Sequence, residues 1–339
     1  MPDAAEDYIS REEDAYQMRK LAVTTGDPGG IGPEVVLKAL SSVADECLPI
    51  IIGDLSVIEE AVRTFGILQS IKTVSSVEDA SPSPGILWCM DMKSLMSYAK
   101  GKPAAENGKA CVDYIRQAVG LAMEKKVDGI VTAPISKEAL KLAGFPWPGH
   151  TEMLAEFTGT REYAMMLVGG PLKVILVTIH TALKNVPGLV TKERVLRTIL
   201  LARKACAMLG IKEPKIAVAG LNPHAGESGV LGNEETKEIS PAITQAKEQG
   251  IAVEGPYPPD VVFHKAYKGD VDMVVCMYHD QGLIPLKMIA FEKGVNVTVG
   301  LPIIRTSPDH GTAYDIAWKG IADPFSMREA IKLALRLKL

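Results

Sequence analysis

Apolar runs of strand length recur along the chain at intervals that leave room for helices: KLAVTTG, LPIIIGD, GILWCMD, DGIVTAP, YAMMLVG, LKVILVTI, KIAVAGL, DMVVCMY and NVTVG. Most are continuously apolar rather than alternating, so both faces of each strand are expected to be covered, as in parallel sheets flanked by helices. Between them lie segments with a helical period. Val195, Ile199, Ala202, Cys206 and Leu209 recur at steps of four and three, which predicts a helix from about Thr191 to Leu209 with one apolar face. Met327, Ala330, Ile331, Ala334 and Leu335 predict another near the C-terminus. The fold class that follows is α/β with largely parallel sheets. In such folds ligands gather where loops leave the carboxyl ends of strands, and polar or glycine-rich tails do follow strand after strand here: GDPGGIGPE, TAPISKEA, TIHTALKNVP, GLNPHAGESG and MYHDQG.

With 339 residues, 47% of them hydrophobic, the chain can bury a large core and has room for two domains. A net charge of -4, from 37 basic and 41 acidic residues scattered along the chain, offers neither a basic stripe for nucleic acid nor a polybasic membrane arm. Five dispersed cysteines without a Cys-x-x-Cys pair fit a reducing, cytoplasmic setting. Residues 1–18 are polar and acidic and are expected to form an N-terminal extension rather than a targeting signal.

Three of the six histidines follow apolar strands directly: His180 after VILVTI, His224 after KIAVAGLNP and His279 after VVCMY. Strand ends along one edge of a sheet converge, and three imidazoles with an open position suit a catalytic divalent ion. One histidine at such a place is more often a packed or capping residue. Asp280, beside His279, is a candidate ligand partner or acid/base group, and its competing role is at a helix start. Asp260 in GPYPPDVVF carries the same ambiguity. Arg305 emerges from the apolar LPII, where a guanidinium fork suits phosphate or carboxylate; a buried structural ion pair is the competing explanation. His150 and Thr151 precede a helix whose free amides favour anions, although Thr151 as a simple N-cap fits equally. GDPGGIGPE matches neither G-x-G-x-x-G nor G-x-x-x-x-G-K-[ST].

GDPGGIGPE, TAPISKEAL, GHTEML, LNPHAGESG, MYHDQGLIPLK and GVNVTVGLPIIRTSPDHGTA together resemble the 4-hydroxythreonine-4-phosphate dehydrogenase family, from Leu21 to the C-terminus. Details of GDPGGIGPE, TAPISKEA and VTIHTAL are similar to the branch acting on 4-phospho-D-threonate and 4-phospho-D-erythronate. The resemblance implies metal ligands at His180, His224 and His279. It implies substrate contacts at His150, Thr151, Lys287, Asn296 and Arg305, and a metal site completed across a homodimer interface. DHGTAYDIAWKGIADP, Asp309 to Pro324, is similar to the adenosine-binding loop of isopropylmalate and isocitrate dehydrogenases. That implies a fold of their kind: two α/β/α domains, residues 19–145 with 310–339 and residues 146–309, with the active site in the cleft between them. It also places His310, Gly311 and Thr312 along the cofactor and Asp315 on the ribose hydroxyls, favouring NAD over NADP; Asp315 as a surface residue is the alternative.

The reaction this implies is NAD-dependent oxidation of the C3 hydroxyl of a 4-phosphorylated four-carbon acid followed by decarboxylation, in the amino-acid case on the route of pyridoxine biosynthesis. Asp280 is the first candidate for moving the proton, with Asp260 and Lys287 behind it. Zinc suits three histidines best, with cobalt, magnesium or manganese as alternatives. Two other activities compete: a cis-dihydrodiol carboxylate dehydrogenase of the same family, and a metal-dependent sugar-phosphate hydrolase or aldolase.

Overall fold

The protein is described from a computed structural model covering residues 18–43 and 45–339; the expected N-terminal extension lies almost wholly outside the described residues. Among the described residues, twelve strands form a single sheet. In chain order they are β1 (Lys20–Thr24), β2 (Leu48–Gly53), β3 (Ser70–Thr73), β4 (Ile86–Asp91), β5 (Gly129–Thr132), β6 (Ala164–Gly169), β7 (Leu172–Leu176), β8 (Ile216–Ala219), β9 (Val253–Tyr257), β10 (Met273–Cys276), β11 (Val295–Val299) and β12 (Arg305–Pro308). Across the sheet they run β3-β4-β2-β1-β5-β12-β11-β6-β7-β10-β8-β9.

The pairing from β3 to β12 is parallel throughout, as is that from β7 to β9. Three antiparallel pairings join these blocks, β12 with β11, β11 with β6 and β6 with β7. An odd number of reversals makes the two parallel blocks run in opposite directions, and the reversal is concentrated in the middle of the sheet. The sheet itself runs unbroken through the expected division at 145/146.

The apolar runs all become strands, and the helical periods become helices. Lys192–Met208 is a helix capped by the Thr191 hydroxyl, which accepts from the Arg194 amide at 3.3 Å; its buried face includes Val195, Ile199, Ala202 and Cys206. Phe325–Arg336 buries Met327, Ala330, Ile331 and Ala334 against the central strands. Three strands lack a sequence signal. β3 and β9 are the two edges, where one flank is free of pairing and the side chains are largely solvated. The third, β12, reads Arg-Thr-Ser-Pro yet is buried throughout, and the reason lies in the site it carries. Among the described residues no helix is long and apolar enough to cross a membrane, and all five cysteines are free and buried.

Candidate active site

Side chains alternate between the two faces of a strand, so register fixes what each face of the central strands presents. Arg305 lies opposite Ile130, Asn296 opposite Ser307, and Met165 opposite Thr298. One face therefore carries Thr132, Arg305, Ser307, Asn296, Thr298 and Met165. On the other face Val131, Val295 and Val297 join the apolar core with Ile331 and Ala334, and the Thr306 hydroxyl donates to the Ala330 carbonyl at 2.8 Å. This polar face lies between the helices His150–Phe157 and His279–Ala290, which both line the space above it. It forms the floor of a pocket of about 630 Å³, located where the two parallel blocks meet, the kind of switch point at which α/β sheets bind ligands.

Arg305 is 2% exposed. Its Nε and Nη2 donate to the Thr132 hydroxyl at 3.1 and 2.7 Å, and Nη1 donates to Thr298 Oγ1 at 3.0 Å and Asn296 Oδ1 at 3.4 Å. All of these acceptors are neutral. No carboxylate pairs with Arg305 among the described residues, and burial pulls the guanidinium down to about 9. The ion-pair alternative is thereby removed: a cation sits at the pocket floor without a counter-ion. His150 opens the helix His150–Phe157 above this floor. Its Nε2 is buried without a hydrogen-bond partner, and desolvation followed by the charge of Arg305 holds the ring well below the usual imidazole range. Thr151 is buried and also lines the pocket. It makes no cap, because Gly149 occupies that position without a side-chain bond.

His180 follows β7 and His279 follows β10, and because these strands pair the two rings come together with centroids 5.7 Å apart. Desolvation, then nearby Lys137, lowers the pKa of His180, so its imidazole is neutral, the state that binds metals. His279 Nδ1 lies 2.6 Å from Asp280 Oδ1, which leaves its Nε2 free. A carboxylate on the far nitrogen is the usual way a metal-ligating histidine is oriented. These two residues fit a divalent ion but do not complete its coordination. No cluster of three or more metal-ligating side chains occurs among the described residues, and His224 does not line the pocket.

His224 instead begins an exposed turn in which His224, Ala225, Glu227 and Ser228 all take positive φ, 50°, 54°, 43° and 57°. Such backbone is strained for residues with a Cβ and collects at functional sites. The helix Pro259–Lys268 packs against this turn, so Asp260, exposed in its first turn, belongs to the same surface as His224 and not to the pocket. Lys287 does enter the pocket, with Nζ 3.3 Å from Asp309 Oδ2. His310 and Gly311 form part of the rim; Thr312 and the exposed Asp315 continue away from it in an irregular loop. The lining residues Thr132, Lys137 and Glu152 were not picked out from the sequence. Thr132 and Lys137 both lie within the quoted TAPISKEAL, and the alternation of Asn296 and Thr298 with valines in β11 is the signal that could have found the floor.

An α/β sheet with a cleft at its reversal point, a buried anion-seeking arginine and two adjacent imidazoles suits an enzyme that acts on small acidic substrates with the help of a divalent ion. Residues 45–334 match the family described as pyridoxal phosphate biosynthetic protein PdxA, and the chain belongs to that family. It is 50% identical over 320 residues to 4-hydroxythreonine-4-phosphate dehydrogenase of Desulfosudis oleivorans, covering 93% of this chain and 95% of that protein. It is 46% identical over 326 residues to D-threonate 4-phosphate dehydrogenase of Salmonella typhimurium, covering 95% and 99%. The crystal structure of 4-hydroxythreonine-4-phosphate dehydrogenase from Klebsiella pneumoniae superposes with a TM-score of 0.87 at 41% identity, over 94% of this chain and 98% of that one. A β-decarboxylating dehydrogenase from Thermococcus kodakarensis, 16% identical with a TM-score of 0.51 over 94% and 83%, shares the fold. Relatives named as dehydrogenases along nearly the whole chain make this protein an oxidoreductase.

Proposed function

We propose that the pocket oxidises the C3 hydroxyl of a four-carbon acid phosphorylated at C4, with NAD as hydride acceptor, and that the 3-keto acid formed then loses carbon dioxide. The observation that carries this reading is the buried guanidinium of Arg305 without a carboxylate partner. A buried cation of this kind is costly until an anion reaches it, and the relatives' names describe substrates with a phosphate. Arg305, Asn296 and His150, with the amides at the start of the Thr151 helix, hold one anionic end. Lys287 faces them from the helix His279–Ala290 and holds the other.

His180 and His279 supply two ligands for one divalent ion, and the third comes from the partner subunit's His224 in a homodimer. Bound there, the ion would acidify the C3 hydroxyl and stabilise the negative charge that develops on decarboxylation. Three imidazoles favour zinc. Asp280 holds the tautomer of His279, and this engagement takes it out of direct proton transfer. Lys287, with Asp309 beside it, is placed to return a proton to the product. Asp260 lies on the same surface as His224, so it reaches an active site only as the partner's Asp260. His310, Gly311, Thr312 and Asp315 hold the cofactor, and Asp315, exposed and with no hydrogen-bond partner among the described residues, is free to accept from ribose hydroxyls.

The test is NADH formation with 4-hydroxythreonine 4-phosphate, 4-phospho-D-threonate and 4-phospho-D-erythronate, with and without a chelator. NADH and carbon dioxide are expected from at least one of them and from none after chelation. Activity that survives chelation overturns the metal role; preferential turnover of an unphosphorylated cis-dihydrodiol acid overturns the assignment of Arg305 to phosphate.

A further inference from the structure

The glycine-rich GDPGGIGPE segment has no place in the chemistry above, yet it is among the most deeply buried parts of the molecule: every residue from Gly26 to Glu34 is buried. It does not cradle a phosphate, because its surroundings are protein. A Cβ on Gly29 would lie 2.0 Å from the Ala99 carbonyl oxygen, and one on Gly32 would lie 2.1 Å from that of Thr25. A Cβ on Gly30 would meet Thr312 at 3.0 Å. These glycines bring backbone against backbone, and the backbone on one side is the loop that carries Thr312 and Asp315.

That loop, residues 309–324, has no helix or strand of its own, so tertiary bonds set its path. Lys287 and Ser326 hold its first residue, Asp309, and beyond that point the bonds come from the glycine-rich segment and the helix it opens. The Ile31 amide donates to the Thr312 carbonyl at 3.0 Å, the Tyr314 hydroxyl donates to Asp27 Oδ2 at 2.6 Å, and the Trp318 indole donates to the Pro28 carbonyl at 2.9 Å. Further along, the Ala322 amide donates to Glu34 Oε1 at 2.9 Å, and Lys38 donates to the Gly320 and Ala322 carbonyls at 2.9 and 3.2 Å. On its other side the same segment is tied to the substrate pocket. The Asp27 amide donates to the Pro134 carbonyl at 2.9 Å, and Pro134 and Ile135 line that pocket.

Asp27 lies at the junction. Its carboxylate is fully buried and accepts from the Gly29 amide at 2.8 Å, Asn107 Nδ2 at 3.0 Å and Tyr314. No cation pairs with it among the described residues, and burial raises its pKa. A joint of purely structural purpose is made more cheaply from an amide or from apolar groups. What a carboxylate adds is a charge-assisted hydrogen bond to the one loop side chain it meets, stronger and more directional than a neutral one.

We propose that Asp27 is a positioning residue for the cofactor: through Tyr314 it fixes loop 309–324 at a set distance from the substrate pocket, so that nucleotide and substrate are held in register for hydride transfer. The inference rests on the reading that this loop binds NAD. Tyr314→Phe removes a single oxygen and tests it with little risk to folding, and Asp27→Ala removes the acceptor. Each is expected to weaken NAD binding about tenfold, the worth of one charge-assisted hydrogen bond, read by quenching of tryptophan fluorescence and by the KM for NAD. The KM for the phosphorylated acid should stay within about twofold of wild type, and the double variant should bind NAD no worse than the weaker single one, as for two ends of one bond.

Wild-type protein that binds NAD beside a Tyr314→Phe variant that binds it equally overturns the latch alone. Wild-type protein that binds no NAD overturns the reading of the loop and the latch together. Equal loss of NAD affinity, substrate affinity and melting temperature in Tyr314→Phe assigns Asp27 a purely structural role and also overturns the proposal.

Discussion

Arg305 has five N–H donors to satisfy and finds only hydroxyl and amide oxygens for them, which compensates its hydrogen bonds but not its charge. Replacing such a group by an apolar one of similar length relieves desolvation. Arg305→Met should therefore raise the unfolding free energy of the ligand-free protein by about 1 to 3 kcal/mol, measured by urea denaturation, while removing the increase in melting temperature expected of wild type with the phosphorylated substrate. A variant that is less stable than wild type without ligand would mean that the guanidinium serves the fold. Asp280 gives a second test at this scale. Asp280→Asn leaves His279 in place but loosens its tautomer, and orienting carboxylates of this kind are worth about 10- to 100-fold in metal affinity. Competition with a chelator should show that loss, and excess metal should restore activity. The partner of Asp280 was legible as its neighbour in the chain, His279; the partners of Arg305 were not. LPIIRT shows an arginine leaving an apolar run, but the absence of a counter-ion is a property of the whole pocket.

Among the elements, the buried segment from Gly26 to Glu34 makes demands that can be measured without any ligand. Gly29→Ala forces a methyl to within 2.0 Å of a backbone oxygen, and neither chain can yield cheaply, so a loss of about 3 kcal/mol or more in unfolding free energy is expected. Asp27 adds a dependence on pH. Its folded pKa lies above the ordinary 3.8 because burial opposes the charge. The folded state therefore holds this proton more tightly than the unfolded chain, and the contribution of Asp27 to stability, complete below 3.8, falls as pH rises through the folded value. Asp27→Asn cannot ionise and escapes that loss. The melting temperature of the variant relative to wild type should rise as pH increases from below 3.8 through the raised pKa, and a difference independent of pH would show that Asp27 is not perturbed. This segment also shows where sequence reading stops. Pro33 and the glycines mark the turn into the helix Gly32–Val43, but which backbone lies against each glycine depends on loop 309–324, far away in the chain. Strands β1, β2, β4–β8, β10 and β11 were legible because burial on both faces makes them continuously apolar. β12 was not, because one of its faces belongs to the pocket, and a four-residue strand carrying Arg305 and Ser307 has no apolar pattern left to show.

At the scale of the molecule, the three histidines chosen from strand ends separate into two groups. The sequence signal that selected them, position after an apolar strand, is blind to which way the loop then turns. Loops after β7 and β10 deliver His180 and His279 into one pocket, whereas the strained turn after β8 presents His224 on the outside beside the Asp260 helix. Two ligands in the cleft and one on the surface are what a two-fold symmetric dimer requires if each pocket borrows a residue from the other chain. Complementation distinguishes this arrangement from a site made within one chain. His180→Ala and His224→Ala should each be inactive. In a mixed dimer, however, the chain carrying His224→Ala retains His180 and His279 and receives an intact His224 from its partner, so one of the two sites is whole. Random reassociation of equal amounts makes half the dimers mixed, and about a quarter of wild-type activity should return. If all three ligands came from a single chain, every site in the mixture would lack one of them, and unmixing and remixing the subunits would restore nothing.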